Sequence, residues 1–180
     1  MTKRAFLAAL TAGLLSACTT GIFYNGVREL SVSFIQPSEW DGEVFPAVQM
    51  CSGVGGAGST PALFVANIPP ETNVIILEMN NLSNPALAVD GGLGSIGFYH
   101  DGSETATLLP VPGETGDLPS FAFEEKVNRA NPAKPYAYLP PCFKTNSTYQ
   151  ATVKALKRTG SFDKQRSVLL GEGRIRLGTY

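Results

Sequence analysis

Histidine is the scarcest reactive residue in this chain, since His100 is the only one among 180 residues. A protein-bound metal usually takes three or four His, Cys or carboxylate ligands, so we expect no metal and no cofactor. His100 also lacks the setting of a catalytic base, because the adjacent Asp101 would point to the other side of a strand. Glu124 and Glu125 lie in a predicted loop beside Lys126 and do not form a facing pair of carboxylates. We therefore predict that the protein is not an enzyme.

Positive charge is scarce in the first half of the chain. Between Cys18 and His100 the only basic residue is Arg28, against seven acids, whereas eleven basic and eight acidic residues follow from Asp101 onward. The formal net charge of −1 gives no reason to expect nucleic acid as a partner. Several of the later basic residues can share one face, which we interpret as solvated, with contact to anionic lipid headgroups as the alternative. These residues are Lys154, Lys157, Arg158, Lys164 and Arg166.

No apolar run is long enough to span a bilayer, but the N-terminus carries one of the length used for export. Lys3 and Arg4 precede the uncharged run of residues 5–14, which leads into Leu15-Ser16-Ala17-Cys18. This arrangement resembles the signal peptide and lipobox of bacterial lipoproteins, in which the cysteine is acylated and becomes the first residue. We therefore predict removal of residues 1–17 and acylation of Cys18 with palmitate-like chains.

The predicted lipid is the membrane anchor of the protein. Several acyl chains hold a protein far more firmly than the single chain that binds only marginally. Residues 18–26 would then form a short tether, and residues 27–180 a single domain close to the membrane. Thr19 follows the cysteine where an aspartate would retain the protein at the inner membrane, so we expect the outer membrane, facing the periplasm. The alternative is an ordinary signal peptide with a chance cysteine.

The composition favours a β protein. Removal of residues 1–17 leaves 163 residues, a normal size for one domain with its own core. The chain is 43% hydrophobic and contains 19 glycines and 13 prolines, which suits turn-rich β structure better than a helical bundle. Strands are predicted over 27–34, 45–51, 62–68, 73–79, 95–100, 105–111, 148–156 and 174–180, and a short helix over 163–170. Residues 101–103 are predicted to close a hairpin, and 112–147 to form a long loop.

Two of these strands have distinctive patterns. Residues 74–77 are all aliphatic, which is typical of a central strand that is covered on both faces. In residues 148–156 apolar side chains alternate with polar ones, so one face is formed by Tyr149, Ala151, Val153 and Ala155.

Two cysteines remain once Cys18 is committed to lipid. Cys51 and Cys142 lie 91 residues apart in the sequence, and in an oxidising compartment we expect them to form one disulfide. The chain-entropy model assigns a closed loop of this length roughly 4–5 kcal/mol of stabilisation.

Short fragments along the chain keep the order and spacing of one known family. They are residues 58–63, 68–72, 74–79 with Asn80-Asn81 after them, 138–142, 149–156 and 177–180. Over roughly residues 45–180 they resemble the phosphatidylethanolamine-binding protein (PEBP) family, which includes the Raf kinase inhibitor proteins. The resemblance implies a mainly β fold, a PEBP-like β-sandwich with a large central antiparallel sheet and a few short helices. It also implies that Cys51 and Cys142 border one pocket, so that their disulfide would clamp its rim.

The same resemblance implies a ligand pocket with altered chemistry. Its predicted lining consists of Pro61, Asn80, Asn81, Tyr136, Pro140, Pro141 and Tyr149. The family's acidic pair falls at Asn80 and its neighbours, and one of its histidines falls at Ser147, so the charged groups that hold a phosphate-like anion are replaced. We predict a non-catalytic envelope lipoprotein that binds a small polar ligand or a lipid headgroup. The alternative is a protein-interaction or protease-inhibitor lipoprotein with a vestigial pocket.

Overall fold

The computed structural model describes residues 23–24, 26–142, 146–161 and 164–180, so the predictions for the signal peptide and Cys18 lie outside the described residues. The regular structure of the described part is almost entirely β, and none of its helices is long and apolar enough to cross a membrane. The strands are β1 (Phe23–Tyr24), β2 (Val27–Glu29), β3 (Ser31–Phe34), β4 (Leu63–Ala66), β5 (Val74–Asn81), β6 (Ser95–Tyr99), β7 (Thr105–Leu108), β8 (Ala122–Lys126), β9 (Thr148–Thr159) and β10 (Arg166–Thr179). Short 3-10 helices span Ala47–Gln49, Ser52–Val54 and Pro85–Leu87.

The strands form two sheets. The large sheet has seven strands in the order β1-β2-β10-β9-β5-β6-β8, and the small sheet has three in the order β3-β4-β7. The strand pairs are antiparallel except for β2 and β10, which run parallel. The predicted mainly β fold is confirmed, and the large sheet is mixed because of this one parallel pair.

The central strand β5 is covered on both faces, as its sequence predicts. Ile75 and Leu77 pack in the main core, which also holds Val65 of the small sheet. We call this side of the large sheet its inner face. Val74 and Ile76 point to the outer face and pack in a second apolar cluster. β9 also follows its predicted pattern, since its inner-face apolar side chains are at most 3% exposed.

Two segments predicted as continuous units divide between the sheets. The prediction of a hairpin around residues 101–103 is wrong, because the two strands that flank this turn do not pair with each other. β6 pairs within the large sheet, and β7 pairs with β4 in the small sheet. The turn itself is present, with the Ser103 backbone N–H donating to Asp101 Oδ1 at 2.9 Å. The predicted strand over 27–34 divides at Leu30 into β2 and β3. Turn chemistry is local, whereas the partner of a strand depends on which apolar face it can bury.

Three further segments differ from the prediction. Residues 166–170 lie in β10 and not in a helix, because β9 offers a register partner for each residue from Arg166 to Leu169. Residues 47–49 and 52–54 form 3-10 helices within and after the predicted strand over 45–51. The predicted loop over 112–147 contains β8, in which Phe123 lies opposite Gly97. A Cβ atom at Gly97 would come within 2.1 Å of the Phe123 ring, so the absence of a side chain at Gly97 leaves space for this ring.

Candidate functional site

A cavity of about 1070 Å³ lies at the end of the large sheet where β5 ends and β9 begins. Loop residues from 51–54, 83–87, 130–134 and 139–142 complete its walls. It brings together four of the predicted site residues: Asn81, Pro140, Pro141 and Tyr149. Their role in binding a ligand stays a prediction.

The other three predicted residues lie away from this cavity. Pro61 lines a separate cleft of about 280 Å³ beside Trp40. Tyr136 is not among the described lining residues, and its carbonyl oxygen accepts the backbone N–H of Asn128 at 2.9 Å. Asn80 faces a groove on the outer face of the large sheet.

Asn80 and Asn81 cannot serve one pocket together, because successive side chains of a strand point to opposite faces. Asn80 is only 2% exposed, and its Oδ1 accepts the backbone N–H groups of Gly91 at 3.0 Å and Gly92 at 3.2 Å. This asparagine therefore holds the 91–92 turn against the outer face. Asn81 is the member of the pair that reaches the cavity.

Three asparagines at the cavity share one geometry. Asn81, Asn84 and Asn131 each use the side-chain Oδ1 to accept the backbone N–H two residues further on, at 3.0, 3.1 and 3.1 Å. Their Nδ2 groups have no hydrogen-bond partner among the described residues. Each Oδ1 thus already accepts one hydrogen bond, whereas both N–H groups of each Nδ2 remain available as donors. These three lining residues therefore offer amide donors for a ligand.

Sequence reasoning missed Asn84 and Asn131. Both precede a proline, and Asn-Pro dipeptides mark turns in which the asparagine side chain bonds to nearby backbone. That signal locates the turns, but only the tertiary fold brings them to the same cavity as Asn81.

The cavity carries little net charge. Lys134 is the one charged group among the described lining residues, and its Nζ lies 3.8 Å from Glu114 Oε1. Glu114 is in turn held by Ser52, whose backbone N–H donates to Glu114 Oε2 at 2.6 Å and whose hydroxyl donates to Oε1 at 3.1 Å. An acid therefore offsets the lysine at the rim.

The predicted disulfide between Cys51 and Cys142 is present, with the Cα atoms 5.1 Å apart. Both cysteines line the cavity, and the Cys51 backbone N–H donates to the Pro141 carbonyl at 2.9 Å. Among the described residues these sulfurs and Glu114 form a group with three potential metal ligands, but the sulfurs are committed to each other. The disulfide joins two walls of the cavity.

Aromatic packing supports the base of the cavity. The Tyr149 ring packs edge-on against Phe45, with centroids 5.0 Å apart. Behind it, Tyr138 is 1% exposed, and its hydroxyl has no hydrogen-bond partner among the described residues. Burial, with a smaller contribution from Tyr149, raises the pKa of Tyr138 far above its ordinary value. This phenol is a neutral part of the core.

The arrangement of the two sheets matches a known structure. The crystal structure of a PEBP homolog from Chlamydia trachomatis aligns with a TM-score of 0.53 over 84% of this chain and 97% of that one. The fold is PEBP-like. Sequence identity in this alignment is 18%, so the likeness establishes the fold and carries no ligand or activity with it. No protein-family model matches the chain, and neither does any curated protein sequence.

Proposed function

We propose that this PEBP-like protein is a non-catalytic, lipid-anchored envelope protein that binds a small ligand in the 1070 Å³ cavity. The ligand has an apolar body and exposed hydrogen-bond acceptors, such as carbonyl or hydroxyl oxygens, and carries little formal charge. The observation that supports this chemistry is the triad of Asn81, Asn84 and Asn131, three residues that line a cavity of low net charge and whose amide nitrogens donate to no described residue.

The apolar part of the lining suits the body of such a ligand. Leu87, Leu93, Pro140 and Tyr149 contribute walls that a hydrocarbon or ring can cover. Ligand sites usually combine an apolar lining with a few placed polar groups, which is the balance found here.

A phosphate headgroup fits this lining poorly. Strong binding of a phosphate needs charge-assisted donors, of which bidentate arginine is the best. The described lining offers only Lys134, which Glu114 already offsets at 3.8 Å. We expect phosphoethanolamine to bind in the millimolar range or more weakly, about −4 kcal/mol or less favourable.

The membrane anchor in this proposal is Cys18, supported by the lipobox-like Leu15-Ser16-Ala17-Cys18. Thr19 supports placement at the outer membrane, facing the periplasm. Metabolic labelling with a clickable palmitate analogue tests the anchor. We expect labelling of the native protein and none of the Cys18→Ser variant, and equal labelling of both would refute lipidation.

Ligand binding is tested on the unlipidated chain of residues 19–180. Amide chemical shifts are followed while N-acetylated amino acid amides, acetate and phosphoethanolamine are titrated in turn. We expect the neutral, acceptor-bearing compounds to bind most tightly, with shift changes confined to the asparagine side chains and Tyr149. Micromolar affinity for phosphoethanolamine would contradict the proposed ligand class.

Matched variants assign the binding to the cavity. Asn81→Ala and Asn84→Ala each remove one free amide group; loss of one hydrogen bond from that group to the ligand is worth about 1 kcal/mol, or roughly a fivefold weaker affinity. Gln150→Ala is the control, because Gln150 is adjacent to Tyr149 in the chain but lines the outer-face groove. Equal effects of all three substitutions would place the ligand elsewhere.

A further inference from the structure

The chain enters β1 from the cavity end of the large sheet. Phe23 lies opposite Arg28 in an antiparallel pair, and Arg28 lies opposite Gly171 in a parallel pair, so β1 runs antiparallel to β10. Traced backward from Phe23, the chain therefore heads toward the C-terminal end of β10. That end lies at the cavity, because Gly178 of β10 is opposite Tyr149, which lines the cavity.

The segment between the predicted anchor and β1 is short. Cys18 precedes Phe23 by five residues, which reach about 17 Å when extended. Gly178 lies seven residues beyond Gly171, or about 24 Å along β10. A reversal of direction would use the reach, because a β-turn takes four residues, as many as lie between Cys18 and Phe23. The direction and the length of this segment therefore favour an anchor near the cavity end of the sheet.

Exposed aliphatic side chains lie at the same end. Val44 forms a β-bridge with Thr179, which is opposite Thr148 in β9. The Thr148 carbonyl accepts the Leu82 backbone N–H at 2.8 Å, so the four residues form a row about 14 Å wide across the end of the sheet. At the two ends of this row, Val44 is 65% exposed and Leu82 is 40% exposed. Val54, which lines the cavity, is 46% exposed.

Charged groups of both signs lie beside the row. Arg176 donates to the Thr179 hydroxyl at 2.8 Å, and Asp41 accepts the backbone N–H of Glu43 at 2.8 Å next to Val44. At the cavity rim the lysine is offset by an acid. Mixed charge gives little net attraction to an anionic surface, so contact of this end with a bilayer would depend on its aliphatic side chains.

The basic residues of the β9–β10 hairpin form a competing surface. Arg158 is nine residues from Tyr149 along β9, or about 30 Å from the cavity end. It pairs with Glu125 at 2.7 Å, and Lys157 forms an ion pair with Glu71. Contact through these cations would need anionic lipid and would weaken in salt, whereas aliphatic contact needs neither condition. The basic residues at this end are Lys157, Arg158, Lys164 and Arg166.

We propose that the cavity end of the domain faces the membrane, with Val44, Val54 and Leu82 in contact with the interfacial region of the bilayer. The inference rests on the lipid anchor of the proposed function. The acyl chains hold the protein at the surface, and the short segment before β1 brings this end toward it. Each aliphatic side chain that is half-buried there adds roughly a fivefold preference for contact. The cavity then lies beside the bilayer surface and not at the aqueous end of the domain.

Photo-crosslinking to lipid measures which end faces the bilayer. A benzophenone amino acid replaces Val54 at the cavity, or Tyr99 at the other end of the sheet. Tyr99 is 74% exposed and lies opposite Val74, the first residue of β5. The lipidated full-length protein is reconstituted into vesicles of phosphatidylcholine with or without phosphatidylglycerol. Lipid adducts are counted by mass spectrometry.

We expect adducts to form mainly at Val54, in both vesicle compositions and equally in salt of about 0.5 M. Val44→Ser with Leu82→Ser should lower the ratio of adducts at Val54 to adducts at Tyr99 by roughly 25-fold, because two aliphatic contacts are lost.

Phe64→Ser with Val168→Ser is the matched control. These side chains are 41% and 56% exposed, but they lie in the small sheet and in the β9–β10 hairpin, so the ratio should not change. More adducts at Tyr99 than at Val54, or equal effects of the two double variants, would overturn the proposal. Adducts at Tyr99 that need phosphatidylglycerol and disappear in salt would overturn it in favour of the basic residues.

Failure of the anchor itself is recognised separately. The intact mass of the purified protein reports whether Cys18 carries acyl chains. If it carries none, the mature chain is coupled through Cys18 to a maleimide lipid in the same vesicles, which reproduces the tether. Adducts at Val54 then support the orientation although the cellular anchor is wrong, whereas adducts at Tyr99 refute the orientation alone.

Discussion

Replacing Tyr138 by phenylalanine should stabilise the protein, although most core substitutions destabilise. The Tyr138 side chain is 1% exposed, and its hydroxyl has no hydrogen-bond partner among the described residues. Burying a hydroxyl without a partner costs about 1–3 kcal/mol, and Tyr138→Phe removes that cost while keeping the ring. After allowance for the small gap that the oxygen leaves, we expect a gain of about 1–2 kcal/mol in the free energy of unfolding at pH 7.

The gain should increase at high pH. Burial raises the pKa of Tyr138, so the folded protein keeps this phenol protonated where the unfolded chain, with a pKa near 10, loses the proton. The unfolded state then binds fewer protons than the folded state, and stability falls by about 1.4 kcal/mol per pH unit above pH 10. The phenylalanine variant lacks this contribution, so its advantage at pH 11 should be about 2–3.5 kcal/mol.

Urea denaturation of residues 19–180 measures both effects, with the fluorescence of the single tryptophan, buried Trp40, as the probe. Tyr99→Phe is the control, because Tyr99 is 74% exposed and its substitution should change stability by less than about 0.5 kcal/mol at either pH. A loss of more than about 1 kcal/mol in Tyr138→Phe at pH 7 would show that the hydroxyl does have a partner.

Two further predictions concern contacts that close the fold. Reduction of the Cys51–Cys142 disulfide should lower the free energy of unfolding by roughly 4–5 kcal/mol, because it releases a loop of 91 residues. Urea denaturation with and without reductant measures this difference, and a change below about 1 kcal/mol would contradict the prediction. Lys154→Met should destabilise by about 3 kcal/mol, because it leaves Glu78, which is 4% exposed, without the ammonium group now 2.7 Å away. Adding Glu78→Leu to Lys154→Met should recover most of the lost stability in the same assay. No recovery would show that altered packing, and not the unpaired charge of Glu78, causes the loss.

Parts of the fold could be read from the sequence because their signal is local. The aliphatic run of residues 74–77 predicts a buried central strand wherever that strand finds its neighbours, and the alternation in β9 fixes which side chains share a face. With Cys18 assigned to lipid, as the sequence predicts, two cysteines remain, and their count predicts the Cys51–Cys142 pair without any geometry. The ordered fragments that resemble the PEBP family predict the fold that the Chlamydia structure shares.

The sequence also contained a signal that the prediction did not use. Asn80 and Asn81 are neighbours on a strand, so only one of them can face a given pocket. Which of the two it is depends on the side of the sheet that the small sheet covers, and that is a tertiary property. Asn81 lines the cavity, and Asn80 bonds to Gly91 and Gly92 on the outer face.

By itself, then, the sequence determined the mainly β class and the buried faces of β5 and β9, because these follow from composition and from periodicity along the chain. The disulfide partners follow from the cysteine count once Cys18 is assigned to lipid. The tertiary structure alone decided that residues 95–99 and 105–108 enter different sheets and that residues 166–170 pair with β9. It also decided that Asn84 and Asn131 join Asn81 at one cavity. The physical reason is that strand pairing and cavity lining depend on contacts between residues far apart in the chain, which local propensity does not encode.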